Sequence, residues 1–441
     1  MAIRMDKSAK LAYKNKSSFY ARSGWLRQNW PDVLISAVLF VAAFFLVYWG
    51  TQLLNEVIVE KQAFDIWFQS DIPRVYVNMV NRLSDHSRTR VHPLFSLIAF
   101  PPVYLFEQGF DLESITAVRA VISTVASVWL AVLFALLRLL GCRRIDAVLF
   151  TLLATVSASA VFWFIVPETY QFGSLSILLA LGFAVLTEYR QFSSFWYVGA
   201  SVLALSITTT NWMVGILVTI VNFSKQKALQ ITIAAFGLTV LLWGVQKMIF
   251  PRAAFFLSIQ GEKKFIAPFD PAGPIYAFKA FFVHTMVMPA IALNEVPEVS
   301  LRWPLMSVQT SVPGSGTLWG AIAVVLWTAL LGLGLWGFFS CRQHTKLRIV
   351  LAFSLLGQLL LHVVYGSETF LYSLHFLPLL ILLAAFSTFT SARLVALVMV
   401  GALVLMMGAN NFIQLSKAVD VVNSNAPEQS QPLQMQKVLE S

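Results

Sequence analysis

The sequence predicts an all-α polytopic membrane protein of about eleven transmembrane helices, with interface helices in its first outer loop. Three observations carry that prediction. The chain of 441 residues is 58% hydrophobic and only 12% charged, against about 25% charged residues in soluble domains. Apolar runs near the roughly 20 residues that span a bilayer recur along its whole length. Basic residues gather in alternate turns between those runs, the pattern that fixes membrane orientation. Between the runs no soluble domain of about 100 residues is left. No cleavable signal peptide is expected, because the first run begins only after Asp32 and no small-residue cleavage site follows. A net charge of +10 would point to nucleic acid in a soluble protein. Here the cations are dispersed among the turns, so they read as topology signals and not as a nucleic-acid surface.

Each element follows in order. Residues 1–31 carry Arg4, Lys7, Lys10, Lys14, Lys16, Arg22 and Arg27 against one acid, Asp6, which places the N-terminus in the cytoplasm. The first span is 33–54, and a polar segment over 55–92 then lies outside. Residues 93–108 are apolar but short. Pro101 and Pro102 interrupt them, and proline breaks a helix interior, so this stretch reads as re-entrant or interface-lying, within an outer loop that covers 55–114. Parity agrees. The next run, 115–140, ends in Arg138, Arg143 and Arg144, which belong in the cytoplasm only if 93–108 does not cross. Further spans are predicted at 147–166, 170–187, 193–208, 211–224, 229–250, 317–338, 348–364, 371–389 and 393–414. The cytoplasmic turns hold Arg190; Lys225 and Lys227; Arg342, Lys346 and Arg348; and Arg393. The continuous run 193–224 is split at Thr208-Thr209-Thr210-Asn211, because both its ends are basic and need an even number of crossings. The chain thus divides into a basic N-terminus (1–31), a membrane module (32–250), an outer loop (251–316), C-terminal transmembrane helices (317–414) and an outer polar tail (415–441) expected to be disordered. Cys142 and Cys341 both fall in cytoplasmic turns, so no disulfide and no four-thiolate metal site is expected.

With this topology the acids divide unevenly. Asp6, Asp32, Asp146 and Glu188 are cytoplasmic, and the other seventeen of 21 lie outside or at outer helix ends. The first outer loop also holds Lys61, Arg74, Arg82, Arg88 and Arg90, against the positive-inside tendency. Such a patch suits an anionic lipid headgroup or a phosphate. The structural alternative is salt bridging to Glu56, Glu60, Asp65, Asp71 and Asp85. Within the loop, Ile72, Val75, Tyr76, Met79, Val80 and Leu83 recur at helical spacing, and Pro73 suits a first turn. The opposite stripe is Asp71, Arg74, Asn78, Arg82 and Asp85. The helix is expected to lie along the membrane with its apolar face down. Asp71, at its N-terminus beside Arg74, is either a capping acid or a general base.

Other outer-face features stand out. Glu168 lies in Pro167-Glu168-Thr169-Tyr170 between two spans, where acids are rare unless functional. Glu368, Tyr372 and His375 share one helix face. Asn211 either bonds a ligand or satisfies a broken backbone, and the second is preferred. Loop 251–316, with Lys263, Lys264 and an apolar stretch 274–289 bearing Lys279 and His284, is long enough to be a lid. No phosphate-cradling glycine loop, zinc signature or Gly-x-Ser-x-Gly elbow is present. A substrate would therefore arrive already activated on the outer side.

These motifs resemble the GT-C class of membrane glycosyltransferases, which includes protein O-mannosyltransferases and the transferase that adds aminoarabinose to lipid A. The resembling stretches are Asp71-Ile72-Pro73-Arg74, Val91-His92-Pro93-Leu94-Phe95 and Val118-Arg119-Ala120, with Glu168 where a second acid is common. The likeness covers about residues 30–225 and is only one of style beyond. Ile72 stands where many relatives have a second adjacent acid, and Leu94 stands where they have a second proline. The resemblance implies a polyprenyl-phosphate sugar as donor and a glycan, lipid or protein as acceptor. It implies a site on the periplasmic side of a bacterial inner membrane and inversion at the anomeric carbon. It implies that Asp71, or alternatively Asp65, deprotonates the acceptor. Arg74, Arg82, Arg88, Arg90 and His92 would hold the donor phosphate, with a divalent cation as an open possibility. Glu168 and Tyr170 would bind substrate, and Glu368, Tyr372 and His375 are substrate-binding candidates on their own spacing rather than on the resemblance. Rival readings are a transporter or flippase of an anionic lipid, an O-antigen ligase or polymerase, and a non-catalytic membrane subunit. The transporter predicts charges deep in the spans and internal repeats, whereas the mid-span regions are almost free of charge.

Overall fold

The structure is a computed structural model, and it describes residues 25–60, 65–257, 265–266, 272–294 and 304–424. It is 76% helical. Among the described residues its sheet is one antiparallel ribbon of two strands, Ala292–Asn294 and Leu305–Ser307. Among the described residues, eight helices are long and apolar enough to cross a membrane: Asn29–Thr51, Ser114–Leu140, Tyr170–Tyr189, Lys225–Ile249, Leu318–Ser340, Thr345–Val364, Thr369–Phe389 and Arg393–Ser424. The other three predicted spans are helical but shorter. The 147–166 segment is two helices, Arg144–Thr155 and Ala158–Trp163, parted at Ser157, whose hydroxyl caps the second. The 193–208 and 211–224 segments are Ser194–Ile207 and Trp212–Ile220, joined by a single turn.

The bundle is built around Ser373–Ala385, in which every residue is buried. Tyr170–Tyr189 packs on it and on Ser114–Leu140, which in turn carries the first helix. Leu318–Ser340 and Arg393–Ser424 pair on the other flank. Between lipid-embedded helices the stabilisation comes from close packing and interhelical hydrogen bonds more than from hydrophobic transfer.

One end of the bundle is laced by ion pairs. Asp32 accepts from Arg138 and Arg144, at 3.1 and 2.6 Å. Asp146 binds Arg393 at 2.5 Å and also accepts the Arg143 amide. Glu188 takes His344 at 2.8 Å and the amides of Lys346 and Leu347. Of the four acids assigned to the cytoplasmic side, Asp32 and Asp146 are therefore paired with arginines and Glu188 with His344 and two amides; Asp6 lies outside the described residues. Cys142 is buried and Cys341 partly so, and both are free thiols.

Two sequence expectations are corrected. Pro101 and Pro102 do not interrupt the helix, which runs unbroken over Phe95–Phe110. Tertiary packing of Phe95, Ala99 and Val103 outweighs the lost amide donors. Buried Gln246 fixes the start of this helix by accepting the Leu97 amide at 3.0 Å and donating to the Pro93 carbonyl at 2.8 Å. The last helix does not stop at 414 but continues to Ser424; residues 425–441 of the predicted tail lie outside the described residues.

The 285–290 segment is not helical, yet Thr285, Met286, Val287 and Met288 are fully buried. Backbone away from water must find protein partners. Asn411 supplies three: it donates to the Val156 and Met286 carbonyls, each at 2.8 Å, and accepts the Met288 amide at 2.8 Å. Asn410 adds the Met288 carbonyl at 2.8 Å. The amides of Ala158 and Ser159 complete the clamp on Met286 and Thr285. One residue thus ties the broken 144–163 helix to the re-entering segment. Asn411→Leu is expected to destabilise the protein by about 2–6 kcal/mol, since it strands the Val156 carbonyl and the Met288 amide and each such buried group costs about 1–3 kcal/mol. Thermal unfolding of the two proteins in the same detergent checks it, and equal midpoints would remove this clamp from the account.

Candidate active site

The end of the bundle opposite those ion pairs gathers most of the predicted site. The loop from Asp65 to Asp71 makes a tight reversal in which Phe68 and Gln69 adopt left-handed backbone, at φ 50° and 63°. Such a conformation costs a non-glycine residue about 1–2 kcal/mol, so the surroundings must enforce it. Phe68 is fully buried among the rings of Phe162, Trp163 and Phe370. Gln69 accepts from Ser367 at 2.7 Å, and the Ile66 carbonyl accepts the Met306 amide at 2.9 Å. The reversal delivers Asp71 to the head of a helix over Ile72–Val80, with Pro73 in its first turn.

Asp71 occupies the N-cap position, but its side chain makes no capping bond. Its carboxylate lies between two guanidiniums instead: Oδ1 is 2.5 Å from Arg74, and Oδ2 is 2.6 Å from Arg88. Its side chain is 16% exposed. Arg74 is shared with Asp65, whose two oxygens it meets at 2.5 and 2.6 Å. Burial and the nearby Asp71 charge raise the Asp65 carboxyl above its ordinary value, against the opposing pull of Arg74.

Glu168 holds the site from behind. It is fully buried, and its Oε1 accepts the Asp71 amide at 2.7 Å while Oε2 accepts the Thr169 amide at 2.8 Å. Glu168 thus pins the N-cap residue through its own amide, and the Asp71 side chain is not used as a cap. Burial pushes its carboxyl up to about 7, the Asp71 charge adds to this, and Arg88 opposes it. Arg88 reaches past Asp71 to His92 Nε2 at 3.1 Å. His92 Nδ1 faces the Ile207 carbonyl at 2.7 Å, in the break between Ser194–Ile207 and Trp212–Ile220. The Thr169 hydroxyl lies 3.1 Å from His92 Nε2. Attraction to Asp71 raises the Arg88 guanidinium despite burial.

Tyr170, Tyr372 and His375 form one ring cluster, with Tyr170 edge-on to both partners at 5.7 and 5.6 Å between centroids. Gly173 leaves room for His375, since a Cβ there would collide with its Nε2. Glu368 sits apart from the Asp71 group. It accepts from the Ser307 hydroxyl at 2.6 Å and the Val308 amide at 3.1 Å, clamping the 305–308 strand segment onto the bundle. Burial pushes its carboxyl up to about 7, while the Ser307 and Val308 hydrogen bonds pull it down.

The structure therefore brings together Asp65, Asp71, Arg74, Arg88, His92, Glu168, Tyr170, Tyr372 and His375, and leaves Arg82 and Arg90 out. Both arginines are exposed, and neither forms an ion pair among the described residues. Arg82 is off the stripe because the helix ends at Val80. Asn81 accepts the Leu83 amide, and buried Asn78 donates to the Asp85 carbonyl, curling the chain into a turn. Leu83 is accordingly exposed and not on the apolar face. That face is also not turned to lipid: Ile72, Val75, Tyr76 and Met79 are buried against Phe95–Phe110 and Glu56–Glu60. Glu56 pairs with Arg119 at 3.0 Å, and Glu60 accepts from Tyr76 at 3.2 Å. Asn211 donates to the Gly173 carbonyl at 3.0 Å, while the broken backbone beside it is served by His92 and by the Leu94 amide on Ser206. Lys279 donates to the Thr310 carbonyl, and His284 is buried in a π-turn over Ala280–His284. Lys61, Lys263 and Lys264 lie outside the described residues. The residues that sequence reasoning missed are Thr169, Ser307 and the Ile207 carbonyl; the first two carry no signal beyond their neighbours, and a backbone carbonyl carries none.

A divalent cation does not fit these side chains. Both Asp71 oxygens face guanidiniums, and no group of three or more His, Cys, Asp or Glu among the described residues converges on one point. No family model matches the chain, and no curated protein is significantly similar to it.

A pH dependence follows from the two buried glutamates. A carboxyl raised on folding binds its proton more tightly in the native state, so its stabilising share is present below the unfolded value and is lost as pH rises through the folded one. Stability is therefore expected to fall between about pH 4.5 and about pH 7 from Glu168 and Glu368 together. Glu368→Gln keeps a carbonyl oxygen for Ser307 and Val308 and is expected to flatten part of that slope. Unfolding midpoints of both proteins across this range check it; a slope that rises in the wild type contradicts it.

Proposed function

We propose that the protein is a membrane glycosyltransferase that moves one sugar from a polyprenyl-phosphate carrier to a glycan, lipid or protein acceptor. The observation that carries this reading is the Asp71 carboxylate. It is withdrawn from its capping role and held between Arg74 and Arg88 at the head of a short helix. A single carboxylate flanked by two guanidiniums meets both demands of the reaction, a proton acceptor and a bed for a departing phosphate. The resemblance of the Asp71, His92 and Arg119 stretches to GT-C enzymes selects sugar transfer among the reactions that have those demands.

In this reading the acceptor hydroxyl oxygen attacks the anomeric carbon, its proton passes to Asp71, and the bond from that carbon to the phosphate oxygen breaks. The electron pair leaves with the polyprenyl phosphate, and the anomeric configuration inverts. Arg74 and Arg88 exchange part of their bond to Asp71 for the phosphate, as planar guanidiniums suit bidentate oxyanions. Asp65 is the weaker base candidate: it is 41% exposed and both its oxygens meet Arg74. The site faces outward from a bacterial inner membrane, with the N-terminus and the Asp32, Asp146 and Glu188 ion pairs on the cytoplasmic side. Support comes from the basic turns that adjoin those pairs.

The test is donor turnover in proteoliposomes. Wild type is expected to release polyprenyl phosphate from a labelled polyprenyl-phosphate sugar, and Asp71→Asn to lose about 10²–10⁴-fold, the usual worth of a positioned base. Equal turnover by both would sink the Asp71 role. A wild type that turns over no such donor but translocates an anionic lipid would replace the enzyme with a transporter.

A further inference from the structure

The resemblance would make His92 a phosphate ligand, yet the imidazole is only 3% exposed and both its nitrogens are spoken for. Nδ1 lies 2.7 Å from the Ile207 carbonyl oxygen. A carbonyl only accepts, so Nδ1 carries the proton. Nε2 lies 3.1 Å from Arg88 Nη2. A guanidinium only donates, so Nε2 is the acceptor and the ring is neutral. The same guanidinium meets Asp71 Oδ2 through its Nη1 at 2.6 Å. One unbroken line of donors and acceptors therefore runs from a helix break to the candidate base.

We infer that His92 is a positioning residue: a neutral imidazole, fixed by the Ile207 carbonyl, whose Nε2 aims the Arg88 guanidinium at Asp71. The inference deepens the transferase reading and rests on it for its kinetic consequence, but the tautomer stands on geometry alone. Every group that faces the ring favours the neutral form or tolerates it. Arg88 brings a positive charge, and His375 opposes a second one. Thr169 offers a hydroxyl that can donate to Nε2, and Thr208 Oγ1 lies 3.2 Å from Nδ1 beside the Ile207 carbonyl. Glu168 is directed at the amides of Asp71 and Thr169 and not at the ring. Burial, then the Arg88 charge, hold His92 well below the usual histidine range. Protonation would place an N–H of the ring against an N–H of Arg88 and swing the guanidinium away from Asp71. The leaving phosphate then meets Arg88 and Arg74 and never touches His92.

Two measurements on the full chain test this. In protein labelled with ¹⁵N-histidine, the signal lost in His92→Gln identifies His92. That signal is expected to show a protonated Nδ1 and a bare Nε2 at and below the pH of about 6.5 where an ordinary histidine takes up its proton. A protonated Nε2, or an imidazolium already at about pH 6.5, overturns the inference. The second measurement is donor turnover by folded variants, with polyprenyl-phosphate mannose, glucose and aminoarabinose as probes. Glutamine offers one acceptor and one donor and is expected to keep kcat/KM within about tenfold of wild type. Lysine, which repels Arg88, is expected to lose about 100-fold, the scale of an ångström misplacement. The reverse order, with lysine active and glutamine inactive, makes His92 a phosphate ligand and overturns the inference. If wild type turns over none of the three lipids, the transferase reading fails, and the tautomer measurement still decides the role of His92.

Discussion

The structure depends on one constraint: backbone polar groups removed from water must be paired within the protein. A continuous helix meets it by itself, and a break does not. This chain breaks at Ser157, at Thr208 and again over 285–290. Each break is repaired by a side chain or amide from elsewhere. Asn411 and Asn410 serve the first and third together, and His92 with Leu94 serves the second. Glu168 plays the same part for the amide of Asp71. The polar residues that look out of place in an apolar sequence are mostly the ones doing these repairs.

The candidate site grows out of that requirement. Glu168 pins Asp71 through its amide from another segment, and the Asp71 carboxylate faces Arg74 and Arg88. Because His92 must donate to Ile207, only one of its nitrogens remains, and that nitrogen can only accept. A fold-level obligation thereby sets the protonation state beside the candidate base. Charge completes the arrangement: two acids and two arginines alternate through Asp65, Arg74, Asp71 and Arg88, so no cation or anion there is left without its counterpart.

Period and composition reveal membrane helices and the apolar face of Ile72–Val80, because both repeat at helical spacing. They do not reveal what covers that face. Ile72 and Met79 read as lipid-facing, yet they pack on Phe95–Phe110, since a sequence pattern records that a face is buried and not against what. The stripe was legible as far as Arg74. Beyond Val80 the side chains of Asn78 and Asn81 outcompete the helix for backbone partners, so Arg82 and Asp85 leave it. Glu168 stands out because acids are rare at apolar junctions between spans, and Glu368 because it shares helical spacing with Tyr372 and His375. Their partners do not, because an amide or a carbonyl has no sequence signature.

Asp71 and Glu368 illustrate how unlike two conspicuous acids can be. Glu368 spends its hydrogen bonds on Ser307 and Val308 and is sealed from solvent, so its role is to fasten the 305–308 strand segment to the bundle. Asp71 is pinned through its backbone and keeps a partly exposed carboxylate bound only to arginines, which an incoming phosphate can compete for. An acid that stabilises structure is satisfied by groups that cannot leave it. Asp32 is also held by two arginines, but at the opposite end of the bundle; under the proposed function it is Asp71, on the outer face, whose arginine partners a donor phosphate competes for.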